Sequence, residues 1–540
     1  MSDLLAQARA WADADPHPGD RAEIETLIDA HDLDELGRRF AGPLTFGTAG
    51  LRGPLRAGPA GMNAAVVTRA AAGLARYLAD AGHAGSGVVI GYDARRRSDE
   101  FAHVSAAVLA GAGFAVQVLP KALPTPVLSF AVRHLGCAAG VMVTASHNPP
   151  DDNGYKVYLG DGAQLVPPAD RLIEAAIAAV GPAREVQLSD EWLTLGDDVA
   201  ADYVAAVVAA LEPSRVPDRG SLTIAYTAMH GVGADTTRAV FAAAGLPEPV
   251  SVAEQDRPDP RFPTVAFPNP EEPGATDLLK ALADRIGADV AIAEDPDADR
   301  CSVVCGGRQL TGDEVGALLA DWLLRRGVPG TYASSLVSGS LMHVIAAAAG
   351  QPSAETPTGF KWIIRAGSDD APLVFGYEEA LGYAVSPTVA RDKDGISAAV
   401  AVSLLAAELK ATGRTLLDRL DELAAEHGLF VTGQLSVRVE DLSLISGAMA
   451  RLRSAPPARL LGRDVAYADL ALEDPPVDAV RLLGDGVRVI VRPSGTEPKL
   501  KAYLETVVPV HDDAGLIAAR GRGEDELDQL RAEMSTALGL

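Results

Sequence analysis

Cysteine is scarce in this chain: 540 residues hold three, Cys137, Cys301 and Cys305, with no C-x-x-C pair among them. That usage excludes a disulfide framework, and it leads to the expectation of a cytoplasmic protein. Positive charge is also short, with 47 Lys and Arg against 73 Asp and Glu, a formal net charge of −26. Nucleic acid and anionic membrane both require a broad basic surface, so neither is expected as a partner. An anionic small molecule would have to be held by local clusters of Arg, Lys and backbone N–H groups. Uninterrupted hydrophobic spans are missing as well. Residues 101–120 and 327–354 carry no Asp, Glu, Lys or Arg. Gly111 and Gly113 split the first stretch, and Pro329 and Ser338-Gly339-Ser340 punctuate the second, so neither reads as a membrane span. The start, Met1-Ser-Asp, has no basic region followed by an apolar one, and no signal peptide is expected.

What is present is a long chain with 48% hydrophobic residues. At about 150 residues per domain it should form three or four domains. Residues 1–40 read as a helical extension, with Leu4, Leu5, Ala8 and Trp11 at helical spacing and Leu27, Ile28, Leu33 and Leu36 after a Pro/Gly break. Strands and helices then alternate. Asn63 can cap a helix carrying Val67, Ala71, Leu74 and Leu78, Val88–Ile90 is a short buried strand, and Ser98 opens the next helix. Thr125-Pro126 reads as an N-cap followed by Pro at the first helical position. The grammar restarts near residue 222 and again near 314, which predicts three similar α/β domains with mainly parallel sheets. After about residue 425 strands cluster, predicting an α+β domain closed by a helix over 525–538, with Arg520-Gly-Arg-Gly-Glu524 as a surface loop. The expected boundaries are 1–40, 41–200, 201–308, 309–425 and 426–540.

Four loops carry chemistry. In Val141-Met-Val-Thr-Ala-Ser146-His-Asn-Pro-Pro150 an apolar strand ends in a polar loop that presents Ser146 where ligands bind in open α/β sheets. A serine there is most often a cap or a turn residue, but His147 and Lys156 add donors beside it, and the G-x-S-x-G elbow of hydrolases is absent. Asp295-Pro-Asp297-Ala-Asp299-Arg300 follows another strand. In an extended segment its alternate carboxylates converge, and an oxygen-only set suits Mg²⁺, Mn²⁺ or Ca²⁺. Glycine is missing from the sixth EF-hand position, where Arg300 stands, and Glu from the twelfth, where Gly306 stands. Gly376-Tyr-Glu378-Glu379-Ala380-Leu381-Gly382-Tyr383 places two carboxylates in a loop after the strand 373–375, where they can accept bonds from vicinal hydroxyls. Arg492-Pro-Ser494-Gly495-Thr496 has the composition of a phosphate nest. A glycine-rich loop, Phe46-Gly-Thr-Ala-Gly50-Leu-Arg52-Gly53, and the cationic Arg391-Asp-Lys393 add further anion contacts.

TASHNPPDDNGYKVY, DPDADR, GYEEALGY and RPSGTEPK, in that order, resemble the signature loops of the α-D-phosphohexomutase family. FGTAGLRG, GYDARRRS, FPNPEEP, PTGFKWI and RDKDG extend the likeness over essentially the whole chain, and the wording is most similar to the long-chain phosphoglucomutase/phosphomannomutase branch that includes phosphopentomutases. The resemblance implies three α/β domains and a C-terminal α+β domain around a central cleft. It implies that Ser146 is a phosphoserine and that Asp295, Asp297 and Asp299 hold Mg²⁺ with a phosphoserine oxygen. Arg52, His147, Lys156, Arg300 and Lys393 would serve the transfer, with Lys393, Lys156 or His147 as the base, a lysine base needing a pKa depressed by neighbouring cations. Thr358, Gly359, Lys361, Glu378, Glu379, Arg391 and Lys393 would meet the sugar phosphate. Arg492, Ser494, Gly495 and Thr496 would take its distal phosphate.

The implied activity interconverts hexose 1- and 6-phosphates of glucose or mannose, with glucose 1,6-bisphosphate or a related bisphosphate as activator, in a monomer or homodimer. Phosphopentomutase or glucose-1,6-bisphosphate synthase activity is the alternative within the class. Outside it stand an aspartyl-phosphate hydrolase using Asp295 or Asp297, and a non-catalytic phosphosugar-binding protein. The last is motivated by Ala380 and Tyr383, where relatives carry Ser and His.

Overall fold

The computed structural model describes residues 2–45, 50–439, 441–494, 499–510 and 513–539. Two compact units make up the chain, one of residues 1–309 with 382–408, the other of 310–381 with 409–540.

The first unit opens with three helices, Ser2–Ala14, Pro18–Asp29 and Leu33–Arg39. Ala8, Ala12, Ile24, Ile28 and Leu36 form their shared core with Ala57. Behind them lies a six-stranded sheet in the order Leu51–Pro54, Asp152–Leu159, Ala139–Val143, Gly87–Tyr92, Ala115–Val118, Leu193–Thr194. The last four run parallel, joined by helices Ser98–Gly111 and Thr125–His134, while Asp152–Leu159 turns back antiparallel on Ala139–Val143. That antiparallel return keeps the serine loop short and sets Lys156 opposite Met142. Asn63 caps the helix Ala64–Asp80 as expected, its Oδ1 accepting from the Val66 N–H while its Nδ2 donates to the carbonyls of Arg56, Gly58 and Gly61.

A second sheet in the same unit has the order Arg308–Gln309, Cys301–Cys305, Val290–Glu294, Ile224–Thr227, Val250–Ser251. Its three inner strands are wholly buried, as their continuous apolar runs require.

In the other unit Thr331–Ser335 pairs in parallel with Ser353–Thr356 and with Leu373–Glu378. An antiparallel sheet follows, with Leu429–Arg438, Lys499–Val508, Val487–Pro493, Val480–Gly484, Arg463–Asp469 and Arg459–Leu460 side by side. The mixed sheets, three α/β layers and closing α+β region are the architecture expected. Among the described residues no helix is long and apolar enough to cross a membrane.

Two local expectations are corrected. Arg520-Gly-Arg-Gly-Glu524 is no loop but lies inside the helix Asp513–Leu538. Gly523 has a packing reason to be there, since a Cβ on it would lie 2.5 Å from Val431 Cγ2. The strand expected to stop at Phe375 continues to Glu378, so that Glu378 ends a strand.

Close helix packing gives a stability prediction. A Cβ at Gly73, within Ala64–Asp80, would lie 2.7 Å from the backbone nitrogen of Ile177 and 2.8 Å from its Cα. Gly73→Ala should therefore destabilise this unit by about 1–3 kcal/mol despite alanine's better helix propensity. Calorimetry should show its melting transition lowered, with Gly181→Ala, which meets nothing within 4 Å, unchanged.

Candidate active site

Ser146 sits three residues beyond the strand Ala139–Val143, in the left-handed region at φ 50° and only 3% exposed. That backbone costs a serine on the order of 1–3 kcal/mol, and it persists only where surrounding structure enforces it. Arg95 supplies the enforcement. Its guanidinium donates to the carbonyls of Ser146 at 2.6 Å, Asn148 at 2.6 Å, Pro149 at 2.8 Å and Asp152 at 3.2 Å. Hydrogen bonds from a charged donor contribute about 1.5–3 kcal/mol each, enough to outweigh the strain. The Ser146 N–H donates to Thr144 Oγ1 at 2.9 Å, which fixes the turn from within.

The serine hydroxyl donates to Asp295 Oδ2 at 2.7 Å, and its oxygen lies 3.1 Å from His147 Nδ1. Asp295, Asp297 and Asp299 are all fully buried and present oxygens within 4.8 Å of one another. They do not converge by strand alternation as expected. The strand ends at Glu294, and the carboxylates are gathered by a turn in which Ala298 is left-handed at φ 55° and donates its N–H to the Asp295 carbonyl.

Lys156 Nζ bonds Asp297 Oδ2 and Asp299 Oδ2, each at 2.8 Å, and Lys393 Nζ lies 3.5 Å from Asp299 Oδ2. Burial alone would depress Lys156, but the charges of Asp297 and Asp299 outweigh it and hold the ammonium above its ordinary range. The expectation that neighbouring cations would depress this lysine is thus reversed. Asp299 feels the opposite balance: burial raises it, yet Lys156, Lys393 and Arg300 pull it far below the usual carboxylate range. Asp295, away from the lysines, is raised by burial and by its two acidic neighbours. His147 is pushed well below its usual value by burial and by Arg300 and Arg52, so it is neutral at neutral pH.

Asp297 Oδ1 and Asp299 Oδ1 are buried with no hydrogen-bond partner. Two orphaned carboxylate oxygens beside a third carboxylate, with no nitrogen or sulfur ligand among them, fit a hard divalent cation.

Arg52, on Leu51–Pro54, donates to Asn148 Oδ1 at 2.9 Å and so grips the same loop. Arg300 donates its N–H to Asp295 Oδ1 and its guanidinium to Glu271. The unit therefore brings together Ser146, His147, Arg52, Lys156, Asp295, Asp297, Asp299, Arg300 and Lys393. Arg391, two residues before Lys393, donates its N–H to Ser129 Oγ.

The remaining candidates lie in the other unit. Thr358 and Gly359 precede the short helix Phe360–Ile363, which carries the buried Lys361. Glu378 ends its strand, and Glu379 Oε2 accepts from Ser335 Oγ at 3.1 Å and Ser338 Oγ at 3.3 Å. Arg492 lies on Val487–Pro493, and the Ser494 N–H donates to the Lys499 carbonyl at 2.8 Å. Gly495 and Thr496 lie outside the described residues, as does Phe46-Gly-Thr-Ala49 of the glycine-rich loop.

Sequence reasoning missed four contributors. Thr125 does not cap its helix, because Pro124 holds that position. Its hydroxyl instead donates to Asp297 Oδ2 at 2.6 Å and its N–H to the Asp297 carbonyl. Arg95 holds the serine loop, Glu271 holds Arg300, and the Phe267 ring lies 6.4 Å from that of His147. The motifs GYDARRRS and FPNPEEP were the available signals for the last three.

Profiles of the phosphoglucomutase/phosphomannomutase family match four successive segments: its alpha/beta/alpha domains I, II and III over residues 43–183, 201–308 and 311–427, and its C-terminal domain over 437–513. A protein named "Probable phosphomannomutase" from Haemophilus influenzae is 45% identical over 488 residues, 88% of this chain and 96% of that protein. The phosphopentomutase of Mus musculus is 34% identical, covering 94% of this chain and 90% of its own. Among solved structures, the open form of parafusin, a Paramecium phosphoglucomutase, shares the fold at a TM-score of 0.72 and 19% identity, covering 93% of this chain and 97% of that one.

Thr125→Val keeps the shape of the side chain but leaves Asp297 without its hydroxyl donor. Loss of such an outer partner typically weakens metal binding about 10–100-fold. Calorimetric titration with Mg²⁺ should show that loss, and an unchanged affinity would separate Thr125 from the cation site.

Proposed function

The chain belongs to the phosphoglucomutase/phosphomannomutase family, and on that premise we propose that it interconverts hexose 1-phosphate and hexose 6-phosphate, of glucose, mannose or both, through a phosphoserine enzyme and a sugar 1,6-bisphosphate. That it is a phosphosugar mutase of the isomerase class follows from its family. The sugar and the route are our reading. The observation that carries the route is the Ser146 hydroxyl, held in a strained loop 2.7 Å from the buried Asp295.

In this reading Ser146 carries the phosphoryl group. Its Oγ–P bond breaks as a sugar hydroxyl oxygen bonds the same phosphorus, giving the bisphosphate, and the hydroxyl proton leaves to a base. The bisphosphate then turns over, and Ser146 takes the other phosphate. Asp295, Asp297 and Asp299 would hold Mg²⁺, which when bound supplies the positive charge that lets an anionic sugar phosphate approach a phosphorylated serine. Arg52 holds Asn148 and with it the far side of the serine loop. Lys156, charged and saturated by two carboxylates, is poorly suited to accept the proton. Neutral His147, or Lys393 beside Asp299, is better suited. Glu378 is proposed to take sugar hydroxyls, with Thr358, Gly359 and Lys361 nearby in sequence order. Arg492, Ser494, Gly495 and Thr496 would hold the phosphate not being transferred, releasing and regripping it between half-reactions.

The hydrolase alternative needs a free oxygen on Asp295 or Asp297 as nucleophile. Both oxygens of Asp295 accept hydrogen bonds, from Ser146 and from the Arg300 N–H. Asp297 Oδ2 accepts from Thr125 and Lys156, and Oδ1 is buried with no hydrogen-bond partner. Asp297 Oδ1 thus stays available on hydrogen bonding alone, and Ser146→Ala separates the two routes, since a hydrolase would keep its turnover and the mutase would lose it.

With Mg²⁺ and a trace of glucose 1,6-bisphosphate, kcat/KM measured side by side should be higher for glucose 1-phosphate or mannose 1-phosphate than for ribose 1-phosphate. A ribose preference would move the protein to the phosphopentomutases. Ser146→Ala should lower kcat by at least about three orders of magnitude, and persistence near the unmodified rate would overturn the phosphoserine. Arg492→Ala should raise the amount of free bisphosphate released per turnover, an unchanged release counting against a distal clamp.

A further inference from the structure

Three consecutive arginines, Arg95, Arg96 and Arg97, leave one short turn in three directions. Arg95 goes inward and bonds the carbonyls of Ser146, Asn148, Pro149 and Asp152. Arg96 reaches Asp151 at the surface, and its backbone carbonyl accepts from Asn153 Nδ2 at 3.0 Å. Asn153 is fully buried and also donates to Ser98 Oγ, whose hydroxyl bonds Asp93 at 2.6 Å. Arg97 turns outward, toward the helices of residues 2–39.

That outward contact is built as a site rather than a chance surface pair. Arg97 Nη1 and Nη2 bond the two oxygens of Asp20 at 2.7 and 2.9 Å, and Asp20 is only 3% exposed. Asp20 Oδ2 also accepts from the Ala64 N–H at the start of the helix Ala64–Asp80, and the Asp20 N–H donates to His17 Nδ1. Glu100 takes the remaining guanidinium edge, and the Arg97 guanidinium stacks 4.9 Å above the Phe101 ring. Arg97 itself is left-handed at φ 64°, a conformation that a bidentate buried pair can hold and that solvent would not.

We propose that the N-terminal helical extension is a brace for the nucleophile loop, acting through Asp20 on Arg97 and so on the turn that presents Arg95 to Ser146. Asp20 and Arg97 are positioning residues, since neither touches the reacting groups. The turn cannot move without moving Arg95, and Arg95 cannot move without releasing the four carbonyls that keep Ser146 left-handed. The kinetic part of the inference rests on the mutase reading, while its structural part does not.

The test uses the full chain with Asp20→Asn and, separately, Arg97→Lys, which keeps the charge but loses the planar two-toothed pairing. Hydrogen exchange is followed at the loop amides of Ser146, Asn148 and Asp152, all of which are hydrogen-bonded here. Both variants should exchange about 10-fold faster at this loop, with the strands Val487–Pro493 and Lys499–Val508 unchanged. kcat should fall about 10-fold while KM for the sugar phosphate stays within about 2-fold, the pattern of a displaced nucleophile. Loop exchange equal to that of the unmodified protein, or acceleration spread evenly over the whole unit, would overturn the brace. Faster loop exchange in a protein whose unmodified form turns over no sugar phosphate would leave the brace standing and sink the mutase route instead.

Discussion

The ammonium of Lys156, wedged between Asp297 and Asp299 at 2.8 Å from each, is the interaction on which the site depends. Three buried carboxylates with oxygens within 4.8 Å repel one another by about 3 kcal/mol per charged pair at the effective dielectric of a protein interior. Without compensation the turn that gathers them would open. Lys156 compensates from a different segment, and its position is a matter of sheet register. It stands opposite Met142 in the antiparallel pairing of Asp152–Leu159 with Ala139–Val143. A slip of one residue would point it to the other face of the sheet. The nine residues between Ser146 and Lys156 are thus the length of a loop and a half-strand that return the cation to its carboxylates.

Legibility in the sequence followed the range of the forces involved. The helix Ala64–Asp80 behind its Asn63 cap and the strand around Val88–Ile90 were readable because apolar period and caps are local, and the acid cluster was readable because its residues share one turn. Thr125 was misread for the same reason in reverse. Ahead of a proline it has the composition of a cap, and only the fold shows that Asp297, 172 residues away, takes its hydroxyl. Arg95 looked like one basic residue among three, and its function appears only when the serine loop closes over it. The convergence of the aspartates was anticipated but by the wrong geometry, since a left-handed Ala298 does what strand alternation was expected to do. Gly523 shows the limit of reading glycine as a loop former, because close approach of a helix to Val431 uses the same residue.

Charge composition and site electrostatics point in opposite directions, and their conflict explains the arrangement. A chain at −26 repels a sugar phosphate on average. Cations are therefore concentrated locally and drawn from distant segments. Arg52 comes from an edge strand, Lys156 from the return strand, Arg300 from the turn after the triad, and Lys393 from the segment that rejoins this unit at residue 382. Lys393 is delivered by its neighbours. Asp392 Oδ2 accepts from Tyr158 and Gln164 at 2.7 Å each, and Asp394 accepts from Tyr203 at 2.8 Å, so the acidic residues on both sides are anchored in the interior while the lysine between them is left facing Asp299. Gly395 then lets the chain pass the triad, because a Cβ there would lie 2.4 Å from the Arg300 carbonyl oxygen.

Tyr383 belongs to the same packing problem. It is fully buried on the strand Gly382–Ala384, and its carbonyl accepts the Asp394 N–H at 2.8 Å. Its main chain thus supports the Lys393 segment from a core position. The compensating groups span residues 52 to 393, so the buried carboxylates become tolerable only when all of those segments are in place. Assembly of the acidic cluster and completion of this unit's fold are then the same event, and the cluster is a condition of the fold as much as its product.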